Sequence, residues 1–91
     1  MAVKVRIPTQ LRTLSGGAAE LEVDGATVAD VLKALDAAHP GFAERLYDGD
    51  GKLRRFVNVF VAEEDIRFLD GLDTPVTDGQ TVSIVPAVAG G

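Results

Sequence analysis

Only one long stretch of this sequence, Val28–Ala38, repeats its apolar residues at helical spacing; most of the other apolar stretches alternate with a period of two. Val28, Val31, Leu32, Leu35 and Ala38 fall on one side of the predicted helix, while Asp30, Lys33 and Asp36 occupy the others. Thr27 stands where an N-cap belongs, and Asp30 three positions on gives a capping-box variant that also places negative charge near the positive helix end. The helix should end near His39, because Pro40 disfavours helical geometry in the residue before it and Gly41 accepts a left-handed turn. A chain with one amphipathic helix and several half-buried strands buries both by laying the helix on one face of a small sheet.

The strands follow from their alternation. Val3, Val5 and Ile7 alternate with Lys4 and Arg6, so residues 2–7 read as a strand that stops at Pro8. Leu21 and Val23 alternate with Glu20 and Glu22 after the Gly16-Gly17 turn and end at Asp24-Gly25, which suggests an opening antiparallel hairpin. Phe42–Leu46 adds a short helical turn, and residues 48–51 read as a flexible connection that lacks the spaced ligands of a Ca²⁺ loop. Residues 56–61 form the strongest strand, with Val57, Val59 and Val61 on one face and Phe56, Asn58 and Phe60 on the other. Arg67-Phe68 reads as a short, weaker strand. Asp78-Gly79 turns the chain into residues 81–85, where Val82 and Ile84 face the core and Pro86 ends the pairing. The order is β-β-α-β-β-β, an α+β class.

With 91 residues the chain holds one core, and a domain of this size buries only roughly 60–65% of its unfolded surface. It has no cysteine, and no cluster of His and carboxylates at ligand spacing suggests a metal, so its stability must come from packing among its 46% hydrophobic residues. The start of the chain has no apolar run of signal-peptide length, and no run of about 18 apolar residues occurs anywhere, so no membrane association and a cytoplasmic location are expected. A formal net charge of −5 argues against nucleic acid as a partner, since backbone binding needs clustered Lys and Arg.

The chemically distinctive part follows Pro86. Residues 1–86 are expected to form the domain and residues 87–91, Ala87-Val88-Ala89-Gly90-Gly91, a flexible tail. Five extended residues span at most roughly 17 Å, enough to carry a terminus into a partner's cleft. Two glycines remove every β-carbon from the last positions, so Gly90 and Gly91 can thread a narrow channel and approach a nucleotide or metal closely. The Gly91 α-carboxylate, with a pKa of about 3.5, is ionised at neutral pH and is a poor electrophile until converted to an acyl-adenylate. Once activated it can accept sulfur and become a thiocarboxylate. A frayed chain end is the ordinary reading of such a dipeptide; a final strand running straight into it is the narrower coincidence.

Other residues carry weaker signals. His39 suits a helix C-terminus and lacks the nucleophile or orienting partner that catalysis needs. Glu63-Glu64-Asp65 reads as a solvated acidic turn between strands, and Arg54-Arg55 as surface charge that can pair with an acidic partner. If the valines of its strand face the helix, Phe60 lies on the uncovered face of the sheet, where with Val85 it suggests a partner-binding patch alongside the tail residues Val88, Ala89 and Gly90.

Across nearly its whole length the sequence resembles the ThiS/MoaD family of ubiquitin-like sulfur carriers, and within it the CysO-type carriers of actinobacterial cysteine biosynthesis. The likeness lies in Ile7-Pro8-Thr9 with Leu11-Arg12, Gly51-Lys52-Leu53 with Arg55-Phe56-Val57-Asn58, Glu64-Asp65-Ile66-Arg67-Phe68, and Pro86-Ala87-Val88-Ala89-Gly90-Gly91. The resemblance implies a β-grasp fold with adjacent, parallel first and last strands, and a protein cosubstrate instead of an enzyme. It implies adenylation of Gly91 by an E1-like ATP-dependent enzyme and replacement of AMP by sulfur. For the CysO type it further implies a pyridoxal-phosphate-dependent cysteine synthase acting on O-phosphoserine and a zinc-dependent peptidase that releases cysteine. ATP, pyridoxal phosphate and zinc would belong to those partners; no cofactor is expected on this chain. MoaD-type tails often carry two prolines where this chain has Pro86-Ala87, and thiamin carriers tend to lack a segment like residues 41–55.

The terminal chemistry is shared within such a family, so molybdopterin, thiamin and secondary-metabolite thiolation stay open as alternatives to cysteine formation. A non-catalytic β-grasp interaction module, binding through the Phe60 face with an idle tail, is the reading from a different class.

Overall fold

The computed structural model describes residues 2–49, 51–54 and 57–86. Five strands form one sheet: β1 (Ala2–Arg6), β2 (Glu20–Asp24), β3 (Val57–Val61), β4 (Glu64–Asp65) and β5 (Thr81–Pro86). Their spatial order is β2-β1-β5-β3-β4. β1 and β5 run parallel at the centre, with Val5 opposite Val82, and every other neighbouring pair is antiparallel. The opening hairpin is present, Val3 facing Val23 and Val5 facing Leu21.

Helix α1 (Val28–Ala38) covers one face of the sheet and the short α2 (Phe42–Leu46) packs beside it. The Thr27 hydroxyl accepts from the Asp30 amide at 3.2 Å, as the cap spacing requires, and the His39 amide closes the helix on the Leu35 carbonyl at 2.8 Å. Gly41 then adopts φ +116°, a conformation that suits a residue without a side chain. The helix buries Val28, Val31, Leu32 and Leu35 against the inward residues of the sheet, which include Val3, Val5, Val59 and Val82. Phe42 and Leu46 extend that core beyond the helix, while Val76 is buried in a segment tied to the helix start by amide bonds from Val28 to the Thr74 carbonyl and from Val76 to the Ala26 carbonyl. No helix among the described residues is long and apolar enough to cross a membrane.

Four local readings change. Arg67-Phe68 is not a strand: the acidic pair Glu64–Asp65 is β4, and Ile66–Phe68 is a 3₁₀ turn because the Asp65 carboxylate accepts from the Arg67 amide at 2.9 Å. The turn between β3 and β4 is therefore Ala62-Glu63, both at positive φ, and not the acidic triplet. The connection after α2 is tied down at both ends, with the Asp48 amide on the Lys52 carbonyl at 2.7 Å and Tyr47 bridging Leu53; Asp50 lies outside the described residues. Finally, pairing continues through Pro86, which lies opposite Val57. The Ala62 amide bonded to the Thr81 carbonyl sets the alternation, so that residue 86 occupies a position whose amide nitrogen points away from β3. On its other side β1 has already ended at Arg6, opposite Ser83, so the missing N–H of proline costs no ladder bond.

Candidate functional site

The strand alternation of β3 and β5 builds the site's surface. Inward-facing Val57, Val59, Val61, Val82 and Ile84 are buried, which sends Asn58, Phe60, Ser83 and Val85 to the face opposite α1. Phe60 lies opposite Ser83 and Asn58 opposite Val85, so Phe60 and Val85 are diagonal neighbours at ~7–8 Å between Cα atoms, within reach of one partner side chain. Phe60 is half-buried and Val85 is 44% exposed.

These two residues line a broad groove of about 890 Å³ that runs across the sheet to Pro8, with Arg6, Arg12 and Glu20 on its polar side. The groove has apolar contact area at Phe60, Val85 and Pro8 and both signs of charge around it. Arg6 pairs with Glu20 at 3.7 Å across the β1–β2 ladder, and the Arg12 guanidinium donates to the Ile7 carbonyl at 3.2 Å, which fixes the loop that carries Pro8. Such a surface, open and bordered by both signs of charge, suits a protein partner better than a small substrate. Pattern reading found Phe60 and Val85 but not Arg6, Pro8 and Arg12, whose place in the groove depends on β1 lying beside β5.

The tail residues Val88, Ala89, Gly90 and Gly91 lie outside the described residues, as do Arg55 and Phe56. The described chain reaches Pro86 with its backbone in register beside Val57, so whatever follows starts from a fixed point at the end of the sheet's central pair. Arg54 is exposed, as expected of surface charge, and its guanidinium also donates to the Glu44 carbonyl at 3.1 Å. His39 is half-buried at the end of α1, where its amide donates to the Leu35 carbonyl. Among the described residues no group of three or more His, Asp or Glu is placed to hold a metal.

Comparison with known proteins follows the same outline. The sulfur carrier protein CysO of Mycobacterium tuberculosis is 48% identical over 93 aligned residues that cover all of both chains. A chain of the Amycolatopsis orientalis BexX/CysO complex superposes with a TM-score of 0.92 at 49% identity, covering 99% of this chain and all of that one. The crystal structure of M. tuberculosis CysO superposes at 0.90 with 46% identity, covering 94% of this chain and 99% of that chain. These likenesses carry the ubiquitin-like β-grasp fold onto the five-stranded sheet and single main helix described above. The model of the ThiS family matches residues 5–91, from the first strand through both terminal glycines, and the chain belongs to that family.

Proposed function

We propose that this chain is a sulfur carrier for cysteine biosynthesis, in which residues 1–86 are the domain that partners hold and residues 87–91 the tail that they process. The observation that carries this reading is the 48% identity to the CysO carrier over the full length of both chains. The tail belongs to what is shared, since the family match runs to Gly91.

The chemistry at Gly91 is as follows. Its carboxylate attacks the α-phosphorus of ATP in an E1-like enzyme, which forms the acyl-adenylate and releases pyrophosphate. Sulfide attacks the acyl carbon and AMP leaves, so one C–O bond is replaced by C–S and the terminus becomes a thiocarboxylate. In a pyridoxal-phosphate-dependent cysteine synthase the thiocarboxylate sulfur then takes the place of the phosphate of O-phosphoserine, forming a C–S bond as phosphate leaves, and the Gly91 acyl group passes from that sulfur to the amine. A zinc-dependent peptidase hydrolyses the resulting Gly91–cysteine amide, which frees cysteine and restores the Gly91 carboxylate. Gly90, Ala89 and Val88 occupy the channel that leads to each reacting centre, and the missing β-carbons of Gly90 and Gly91 let the backbone pass where it is narrowest. Phe60 and Val85, with the groove around them, are the surface that the adenylating enzyme grips. The domain contributes no reacting group. It positions a terminus.

The test is an intact-mass measurement with the adenylating enzyme, ATP and sulfide. The chain gains the mass of one sulfur less one oxygen, and a chain lacking Gly91 does not. Equal modification of the shortened chain would overturn the assignment to the tail.

A further inference from the structure

β4 is two residues long and pairs only with Phe60 and Val61, so among the described residues no strand flanks residues 57–59 on that side. A cavity of about 240 Å³ opens at this notch, between the turn of residues 51–54 and the 3₁₀ turn Ile66–Phe68. Its lining combines buried or half-buried apolar residues, Val57, Ile66 and Leu72, with the exposed cations Lys52, Arg54 and Arg67. The volume lies below the range of roughly 300–1,000 Å³ usual for small-molecule sites and suits one or two side chains of a peptide.

The charge here runs against the rest of the molecule. The chain has 14 acidic and 9 basic residues, yet the only acid among the described lining residues is Asp65, which Arg67 already pairs at 3.1 Å. Lys52 has no ion-pair partner among the described residues. The wall is also braced by hydrogen bonds: Asp65 caps the 3₁₀ turn, Arg67 donates to the Asn58 side-chain carbonyl, and the Leu69 amide closes on the Ile66 carbonyl at 3.0 Å. That same turn holds Phe68 at 85% exposure and Leu69 at 40%, two of the three large apolar side chains that the described surface exposes. An aromatic ring held out on a braced turn beside an apolar cavity is preorganised for contact.

We propose that this notch docks an extended segment of a partner protein in which an apolar side chain is flanked by acidic ones. The apolar side chain enters the cavity, the carboxylates meet Lys52, Arg54 and Arg67, and Phe68 packs against the segment from above. Charge complementarity selects the occupant, since an acidic segment meets a lining whose described residues hold three cations and one acid. Val57 lies opposite Pro86 on the other side of β3, so the docked partner sits one strand away from Pro86 and on a different surface from the Phe60 groove. The proposal stands apart from the sulfur chemistry at Gly91.

The probe is a short peptide alternating Asp and Val, whose extended form places the Val side chains on one face; its control carries Lys for every Asp. Titration into ¹⁵N-labelled protein is expected to shift the amides of Lys52, Leu53, Val57, Arg67 and Phe68 with the acidic peptide alone. Lys52→Glu and Phe68→Ala, both at exposed positions, should each weaken binding by about tenfold while leaving the remaining amide spectrum unchanged. Absence of these shifts at about 1 mM peptide, equal shifts with both peptides, shifts confined to the Phe60 groove, or undiminished binding by both variants would each overturn the proposal.

Discussion

Val57 and Pro86 lie opposite each other where β3 begins and β5 ends, and this pair fixes the point from which the tail departs. The pair belongs to the sheet, and residues 87–91 are proposed above as a tail that partners process. Removing residues 87–91 is therefore expected to leave the thermal midpoint within about 2 °C of the full chain, less than the shift produced by 1 kcal/mol in a domain this small. Val57→Ala, which takes two methyl groups from a residue 8% exposed, should cost about 1–3 kcal/mol in chemical denaturation. A truncation that destabilised more than the Val57 variant would mean that the tail is part of the fold.

The turn between β3 and β4 holds two non-glycine residues in the left-handed region, Ala62 at φ 49° and Glu63 at φ 75°. Two-residue hairpin turns with this geometry favour Asn-Gly, and alanine held there costs about 1 kcal/mol. The double variant Ala62→Asn, Glu63→Gly should raise stability by about 1–2 kcal/mol in urea denaturation. No gain would mean that contacts of the native pair offset the strain; Glu63 does border the Phe60 groove.

Tyr47, the only tyrosine, sits half-buried against the core after α2, and desolvation pushes its phenol above the ordinary value of 10.0. The folded state thus favours the neutral phenol. Below pH 10 both states are protonated and this group adds no slope; as pH rises through 10 toward the folded value, the unfolded chain ionises first and stability falls. Denaturation midpoints above pH 10 should drop more steeply for the native chain than for Tyr47→Phe, and phenolate absorbance should titrate later in the folded protein. Equal slopes for the two proteins would remove Tyr47 as the cause.

Much of this molecule was legible from spacing because each signal was local. The Thr27 cap, the four buried positions of α1 and the inward valines of β3 all follow from a period that a short window reveals. The parallel pairing of β1 with β5 was not, since alternation says which face a residue takes but never which strand lies beside it; that expectation came from family resemblance. Arg67-Phe68 misled for a related reason. Ile66 and Phe68 alternate as a strand would, but the carboxylate of Asp65 competes for the Arg67 amide and closes a turn, leaving Phe68 in solvent. The notch beside β3 depends on how soon β4 stops, a length that no periodicity in Glu64–Asp65 records.

The proposed grip on the domain and the proposed reaction at the tail can be separated at Phe60. It is half-buried at the groove, its neighbour Val85 is exposed, and the residues beneath them belong to a sheet that does not need the Phe60 ring for its core. Phe60→Asp removes an apolar contact and sets a charge between Ser83 and the exposed Val85, so the loss should fall on partner binding. With the adenylating enzyme, KM for the carrier should rise about 30-fold or more, the loss of ~2 kcal/mol expected of a central aromatic contact, while kcat stays within about threefold. Removal of Gly91 should do the reverse, abolishing thiocarboxylate formation while leaving the carrier able to compete with the full chain for the enzyme. If Phe60→Asp instead lowered kcat and left KM unchanged, the groove would not be the surface the enzyme holds.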